Sequence, residues 1–505
     1  MKEMHGTGSH SQPRGNEDGN EIPVWGVSKA KFGCDPPEEG RKENCSICWG
    51  PLLWLQGLLS ILEAGSRKAF SSLRGPVELR LGGIDCRTRE QKLQQREQQQ
   101  QKEMGSVGRS STHQLLLLWG ASLVLCVTLV NGSCFPAVFN FGDSQSDTGG
   151  IHAAFPSFTP AEYSPYGNTY FQQPQFRYSD GRLLIDFITT GMGLPFLDPY
   201  LQSVTSDFYH GANFATAGAT IEAVTYLSPF YFNIQILQFM EFQKNVIAMR
   251  NPKAGNLGRT STTIKSAANT YAEKVHRLPL PEFFNQALYM FCIGGNDFTY
   301  YYNKGKSPTE LEEYLPQIVD GLVQGIKRLY YAGGRNFLVW DMEPHGCLPY
   351  MLTLIQHTKE DLDERGCLPP YNKVAEKYND LMNQTLTSLK SELQDSVIVI
   401  FSTYQLRSDL IRDKEKFGFK VMNKACCGVP NEYHFDLRVA CGMSQVINNE
   451  TVASTTCEEP SEYIIWDGVH TTEAANKYIA KQFFSGKYFY PRFDKLMSCN
   501  IAPVT

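Results

Sequence analysis

Short apolar runs recur from residue 137 onward, and each stops abruptly at glycine or a polar residue. Residues 137–141 (AVFNF) run into Gly142-Asp143-Ser144. Residues 287–293 (ALYMFCI) run into Gly294-Gly295-Asn296-Asp297. Two more follow, at 336–340 (NFLVW) and 396–401 (SVIVIF). Near-continuous apolar runs of this length predict strands buried on both faces. Between the second and third runs, Leu311, Leu315, Ile318, Leu322, Ile326 and Leu329 recur at spacings of three and four. They mark one face of a helix, which Gly333-Gly334 stops. Between the third and fourth, Tyr371, Val374, Tyr378, Leu381, Leu389 and Leu393 repeat that pattern. Strands alternating with amphipathic helices predict βαβ units and a parallel sheet, an α/β domain over 134–505. Segments 156–174 and 220–266 read as loops that shape specificity.

Composition narrows the function. The chain has 505 residues, 42% hydrophobic and 12% aromatic, enough to bury a sizeable core. Its net charge of −5 carries no basic surplus, which excludes a nucleic-acid binder. Residues 115–130 (LLLLWGASLVLCVTLV) form an apolar run too short for a comfortable membrane span and suited to a signal-peptide core. Arg109 and His113 precede it, and Val130-Asn131-Gly132 resembles a small-residue cleavage site. Translation from Met104 gives a complete signal peptide over 104–133. Residues 1–103 then form a disordered or spurious extension, with a Gln-rich tract at 92–102. The competing reading is an uncleaved signal-anchor, which would hold a Golgi enzyme. Cys45 and Cys48 form a CxxC with no second pair at zinc-site spacing, so no metal site is read there.

Nine of the 14 cysteines follow residue 133. In a secreted chain these mostly pair, and an odd count leaves at least one free. Cys347 and Cys367 flank a polar stretch, and Cys426, Cys427, Cys441 and Cys457 cluster. Asn383-Gln-Thr and Asn449-Glu-Thr are glycosylation sequons that fit the same route.

A serine hydrolase needs a nucleophile, a base, a group that orients the base, and donors for the developing oxyanion. No GxSxG occurs, so the α/β-hydrolase elbow is absent. Ser144 instead stands where the first strand ends, the edge at which open α/β sheets bind ligands; as a bare observation it is equally a turn serine. Residues 211–220 (GANFATAGAT) are small enough for a backbone N–H to approach a ligand, or for a packed turn. Asn296 offers a neutral amide donor, or an Asx turn. Asp467 and His470, in WDGVH, are three apart, close enough to share a turn and form a base and its orienter.

GDS, the glycine block, GGND and DGVH occur in that order. Together they resemble the GDSL family of the SGNH hydrolase superfamily, over nearly all of 134–490. Residues 176–187 (FRYSDGRLLIDF), 341–347 (DMEPHGC) and Tyr378-Asn379 look most like its plant branch. The resemblance implies a three-layer α/β/α, flavodoxin-like fold with a mainly parallel sheet of about five strands. It implies Ser144 as nucleophile, His470 as base and Asp467 as its partner. Gly218 N–H, the Asn296 side chain and Ser144 N–H would form the oxyanion hole. The implied activity is carboxylic ester hydrolysis through an acyl-enzyme, with no metal or organic cofactor. The implied substrates are acetyl esters of a cell-wall polysaccharide such as xylan, or of a glycosylated small molecule, for a protein secreted to the cell wall. A lipase for longer acyl chains and an inactive binding protein on the same scaffold are the alternatives. One departure stands out: the motif reads GDSQ, and Gln145 is expected to contribute packing.

Overall fold

The computed structural model describes residues 134–224, 227–251 and 273–505. The expected extension at 1–103, the expected signal peptide at 104–133 and the Cys45–Cys48 pair lie outside the described residues. Val138–Gly142 (β1) is buried along its whole length. It pairs in parallel with Gly211–Asn213 (β2) on one side and Leu288–Cys292 (β3) on the other. Asn336–Trp340 (β4) and Val397–Phe401 (β5) extend the parallel ladder beyond β3. Outside this sheet, Cys427–Gly428 (β6) pairs with Thr455–Thr456 (β9), and Ser444–Ile447 (β7) with Glu450–Ala453 (β8). Phe489–Tyr490 (β10) closes the central sheet antiparallel to β5. The strand order is β10-β5-β4-β3-β1-β2, six strands where about five were expected.

Alternate residues of each strand feed two separate cores, the period-2 consequence of a pleated backbone. Phe139, Phe141, Tyr289, Phe291 and Phe337 pack on one face; Val138, Leu288, Met290 and Leu338 pack on the other. Leu184–Gly191 (α1) and Glu473–Ser485 (α7) cover the second face. Phe232–Arg250 (α2), Leu315–Tyr331 (α4) and Pro369–Glu392 (α5) cover the first. The result is the three-layer α/β/α arrangement. Gly295–Asn303 (α3) and Thr403–Arg412 (α6) start at the C-terminal ends of β3 and β5.

The periodic run from Leu311 to Leu329 is one buried stripe but two helices. Leu311 sits in a short helix, Pro308–Glu312, and α4 begins at Leu315. Pro316 lacks an N–H to continue a preceding helix and suits a first turn instead. The expected loop over 220–266 is corrected: it contains the 19-residue helix α2. Phe232, Ile236, Phe239, Phe242 and Val246 are buried at helical spacing, but Leu237, Met240 and Ile247 are exposed. Those outward apolar residues blur the contrast by which a helix is read.

Four disulfides form: Cys134–Cys499, Cys347–Cys367, Cys426–Cys457 and Cys427–Cys441. Cys292 is the free thiol among the described residues, and it is buried in β3. No helix of the described residues is long and apolar enough to cross a membrane.

Candidate active site

β1 ends at Gly142, and the chain turns sharply there. Asp143 N donates to Cys292 O of the neighbouring strand at 3.2 Å, and Ser146 N donates back to Asp143 O. Ser144 is thereby held at the C-terminal edge of the sheet. Asp467 and His470 occupy the loop before α7. His470 Nδ1 lies 2.8 Å from both Asp467 carboxylate oxygens, and His470 Nε2 lies 2.7 Å from Ser144 Oγ. The loop closes on itself through Trp466 N, which donates to His470 O at 2.6 Å. Gly468 has φ 102, and a Cβ there would run into the Phe435 ring, so glycine is required.

Asp467 is fully engaged. It also accepts from Tyr166 Oη at 2.7 Å, His470 N at 3.0 Å and Val469 N at 3.3 Å. Burial alone would raise its pKa, but the His470 charge and these hydrogen bonds outweigh it and hold the carboxyl below its usual range. Asp143, with less support, is pushed up to about 7 by burial.

Gly218 has φ 77, a conformation L side chains rarely adopt. Among the described residues neither its N–H nor that of Ser144 has a hydrogen-bond partner. Asn296 opens α3, and its Nδ2 donates one proton to Ala219 O at 3.0 Å. That bond sets the amide beside the Gly218 backbone and leaves its second N–H free to donate elsewhere. Ser144 and Asn296 line one cavity. Ser144, His470 and Asp467 are thus in direct contact, and the three oxyanion candidates lie at the same sheet edge.

Known proteins resemble this chain over most of its described length. The GDSL-like lipase/acylhydrolase pattern matches residues 138–483. A GDSL esterase/lipase of Arabidopsis thaliana is 41% identical over 385 residues, covering 74% of this chain and 94% of that protein. An esterase of Hevea brasiliensis is 36% identical, covering 75% of this chain and 94% of the relative. A protein of A. thaliana named alpha-L-fucosidase 3 is 37% identical, covering 70% and 91%. The chain belongs to the GDSL lipase/acylhydrolase family. It is a carboxylic ester hydrolase.

Several residues of this GDSL site escape sequence reasoning. Tyr166 stands 301 residues before the carboxylate it touches, and no local spacing announces that contact. Tyr178 lays its ring 4.8 Å from that of His470. The 176–187 block, legible in the sequence only by resemblance, braces the histidine loop. Ser179 Oγ donates to Thr471 O at 3.0 Å, Arg182 pairs with Glu473, and Asp180 accepts from Glu473 N at 2.7 Å. Gln145 does more than pack: its Nε2 donates to Val469 O at 3.4 Å, linking the nucleophile turn to the DGVH loop.

Proposed function

We propose that this GDSL hydrolase is a secreted serine esterase that removes small acyl groups, acetyl first, from a sugar-bearing substrate such as cell-wall xylan. The observation that carries the reading is the contact of His470 Nε2 with Ser144 Oγ at 2.7 Å, with Asp467 behind the imidazole. In this mechanism His470 takes the Ser144 proton as Oγ attacks the ester carbonyl. The tetrahedral oxyanion accepts hydrogen bonds from the Ser144 and Gly218 amides and Asn296 Nδ2. His470 then protonates the leaving alcohol, and an acyl-enzyme remains. Water, deprotonated by the same histidine, releases the acid and restores Ser144.

Three further features support the finer reading. Four disulfides suit an oxidising compartment. The cavity beside Ser144 measures about 80 Å³, roughly five to eight water positions, which is small for an ester that carries a long acyl chain as well as its alcohol half. One relative carries the name of a sugar-processing enzyme, alpha-L-fucosidase 3. The test is hydrolysis of p-nitrophenyl esters from acetate to palmitate by the wild type and Ser144→Ala. Acetate preference is expected, with kcat falling about 10⁴-fold or more in the variant. Palmitate preference would move the substrate to lipids. A folded protein that turns over no ester would favour the binding-protein alternative.

A further inference from the structure

The cavity next to Ser144 extends along the C-terminal ends of β3, β4 and β5, and its walls are of two kinds. Leu184, Ile293, Met342 and Leu406 are apolar, and the Trp340 indole adds an aromatic face. Set into that wall is an ion pair between Arg407 and Glu343, whose side chains are only 11% and 13% exposed. Charged groups buried this deeply are uncommon unless paired, and a buried pair in a cavity beside a nucleophile candidate marks a wall that a ligand can use.

The wall has more hydrogen-bonding capacity than the chain satisfies. A guanidinium carries five N–H donors in a planar fork, and one carboxylate engages at most two. Trp340 Nε1 is buried with no partner among the described residues, and so are both ring nitrogens of His345. Burial holds His345 neutral, with its pKa lowered to about 4, so one ring nitrogen is a donor and the other an acceptor. All three side chains line the same cavity.

Three ligand chemistries can be weighed against this wall. A long alkyl chain would leave the indole N–H, the imidazole and the spare guanidinium donors unsatisfied, at the cost of each lost hydrogen bond. An anionic group would face Glu343, which already neutralises Arg407, and Asp341 and Asp143 besides. A neutral polyhydroxylated ring brings both donors and acceptors, and an apolar face for Trp340. Asp341 does not compete for it, because its oxygens are taken by Ser402 Oγ at 2.6 Å, Thr403 Oγ1 at 2.8 Å and Tyr404 N at 2.8 Å.

We infer that this cavity is the subsite for the alcohol half of the ester, that this half is one neutral sugar unit, and that Arg407, Glu343 and Trp340 select it. The inference rests on the esterase reading above and adds where the sugar is held.

Two measurements on the full chain test it. The first compares kcat/KM for monoacetylated methyl β-xyloside and for p-nitrophenyl acetate in Trp340→Phe and Arg407→Lys, which delete or displace donors while keeping bulk. The xyloside ester is expected to lose about fivefold or more beyond any loss on p-nitrophenyl acetate, the effect of one hydrogen bond. Equal losses on both substrates, or none, would overturn the subsite. The second reads binding of unesterified methyl β-xyloside to Ser144→Ala by saturation-transfer NMR, with methyl β-glucuronide as the anionic comparison. Binding that favours the neutral glycoside and weakens in Trp340→Phe supports the subsite whether or not the wild type turns over an ester. No binding, or preference for the glucuronide, refutes it. Failure of the esterase reading shows separately, as wild-type protein inert toward both esters.

Discussion

Tyr166→Phe removes one oxygen and tests how the triad is held. The Tyr166 side chain is buried, and its Oη donates to Asp467 Oδ2 at 2.7 Å. Burial and the neighbouring carboxylate raise the phenol well above its usual pKa, so it remains a donor throughout the working range. A hydrogen bond to a charged acceptor contributes about 1.5–3 kcal/mol net. Asp467 matters most when His470 becomes an imidazolium, so most of that loss falls on the transition state. At 1.36 kcal/mol per factor of ten, kcat is expected to fall roughly 10- to 150-fold. KM should stay within about twofold, because Tyr166 lines no part of the substrate cavity. The assay is steady-state hydrolysis of p-nitrophenyl acetate, with the melting temperature measured alongside. A double-mutant cycle separates positioning from general damage. In an Asp467→Asn background the carboxylate charge is already gone, and adding Tyr166→Phe should cost less than about threefold. A kcat within twofold of wild type, or the same loss in both backgrounds, would refute the assignment.

Other outcomes follow from the same contacts. Asn296→Ala should lower kcat by about 10²–10³, as loss of one oxyanion donor does, and a variant within tenfold of wild type would remove Asn296 from the hole. Gly218→Ala places a Cβ 2.5 Å from that of Leu227 at φ 77; activity should fall at least about tenfold in protein that still folds, and unimpaired turnover would contradict its role. Burial pushes Asp143 and Asp297 up to about 7 and Asp341 up to about 6, from an ordinary 3.8. The folded state then binds protons that the unfolded chain has released. Their contribution is complete below about pH 4 and is lost as pH rises through 6–7; His345, lowered to about 4, works the other way below about pH 6.5 but is one group against three, so the melting temperature should be higher at pH 5 than at pH 8, and the reverse order would refute this balance. Asn449 lies exposed at the tip of the β7–β8 hairpin with φ 65, while Asn383 sits in α5 with its Oδ1 buried; glycosidase-sensitive mass should vanish in Asn449→Gln and persist in Asn383→Gln.

The sequence speaks clearly where burial is two-sided. β1, β3, β4 and β5 are legible because a strand covered on both faces is apolar at nearly every position, Asn140 and Asn336 apart, and the strand at 336–340 has the predicted bounds. β2 and β10 are not, for opposite reasons. β2 is three residues in a glycine block whose composition suits a ligand loop, and β10 is a two-residue antiparallel edge. Helix α2 is hidden by apolar residues on its outer face, and the 308–331 run conceals a break at Pro316. At the site, Ser144, Asp467 and His470 are legible because each sits beside a turn signal or within one turn of its partner. The bracing residues are not, because a hydrogen bond between Tyr166 and Asp467 leaves no mark on local periodicity.

What makes these dispersed signals one site is a set of buried carboxylates that take no part in the chemistry. Asp147 follows the nucleophile turn and accepts from Gly149, Gly150 and Ile151 N–H, and from Ala217 N at 2.8 Å. Ala217 immediately precedes Gly218, so the Ser144 turn and the candidate oxyanion glycine share one anchor. Asp297, next to Asn296, accepts from Ile221 N at 2.8 Å and Glu222 N at 3.0 Å, gripping the other end of that glycine block. Glu473 holds Arg182 and so ties the helix that follows His470 to the 176–187 block. Each acid sits one to three residues from a catalytic candidate and reaches into a different motif. Oxyanion stabilisation depends on donors that are already in place when charge develops, since any rearrangement would subtract from the gain. A backbone amide cannot be aimed by its own side chain, and least of all at glycine. It is aimed by fixing its neighbours, and the carboxylates at 147 and 297 fix both sides of Gly218. Asp147, three residues past Ser144, and Asp297, in the GGND stretch, would therefore aim the proposed oxyanion amide without touching the substrate.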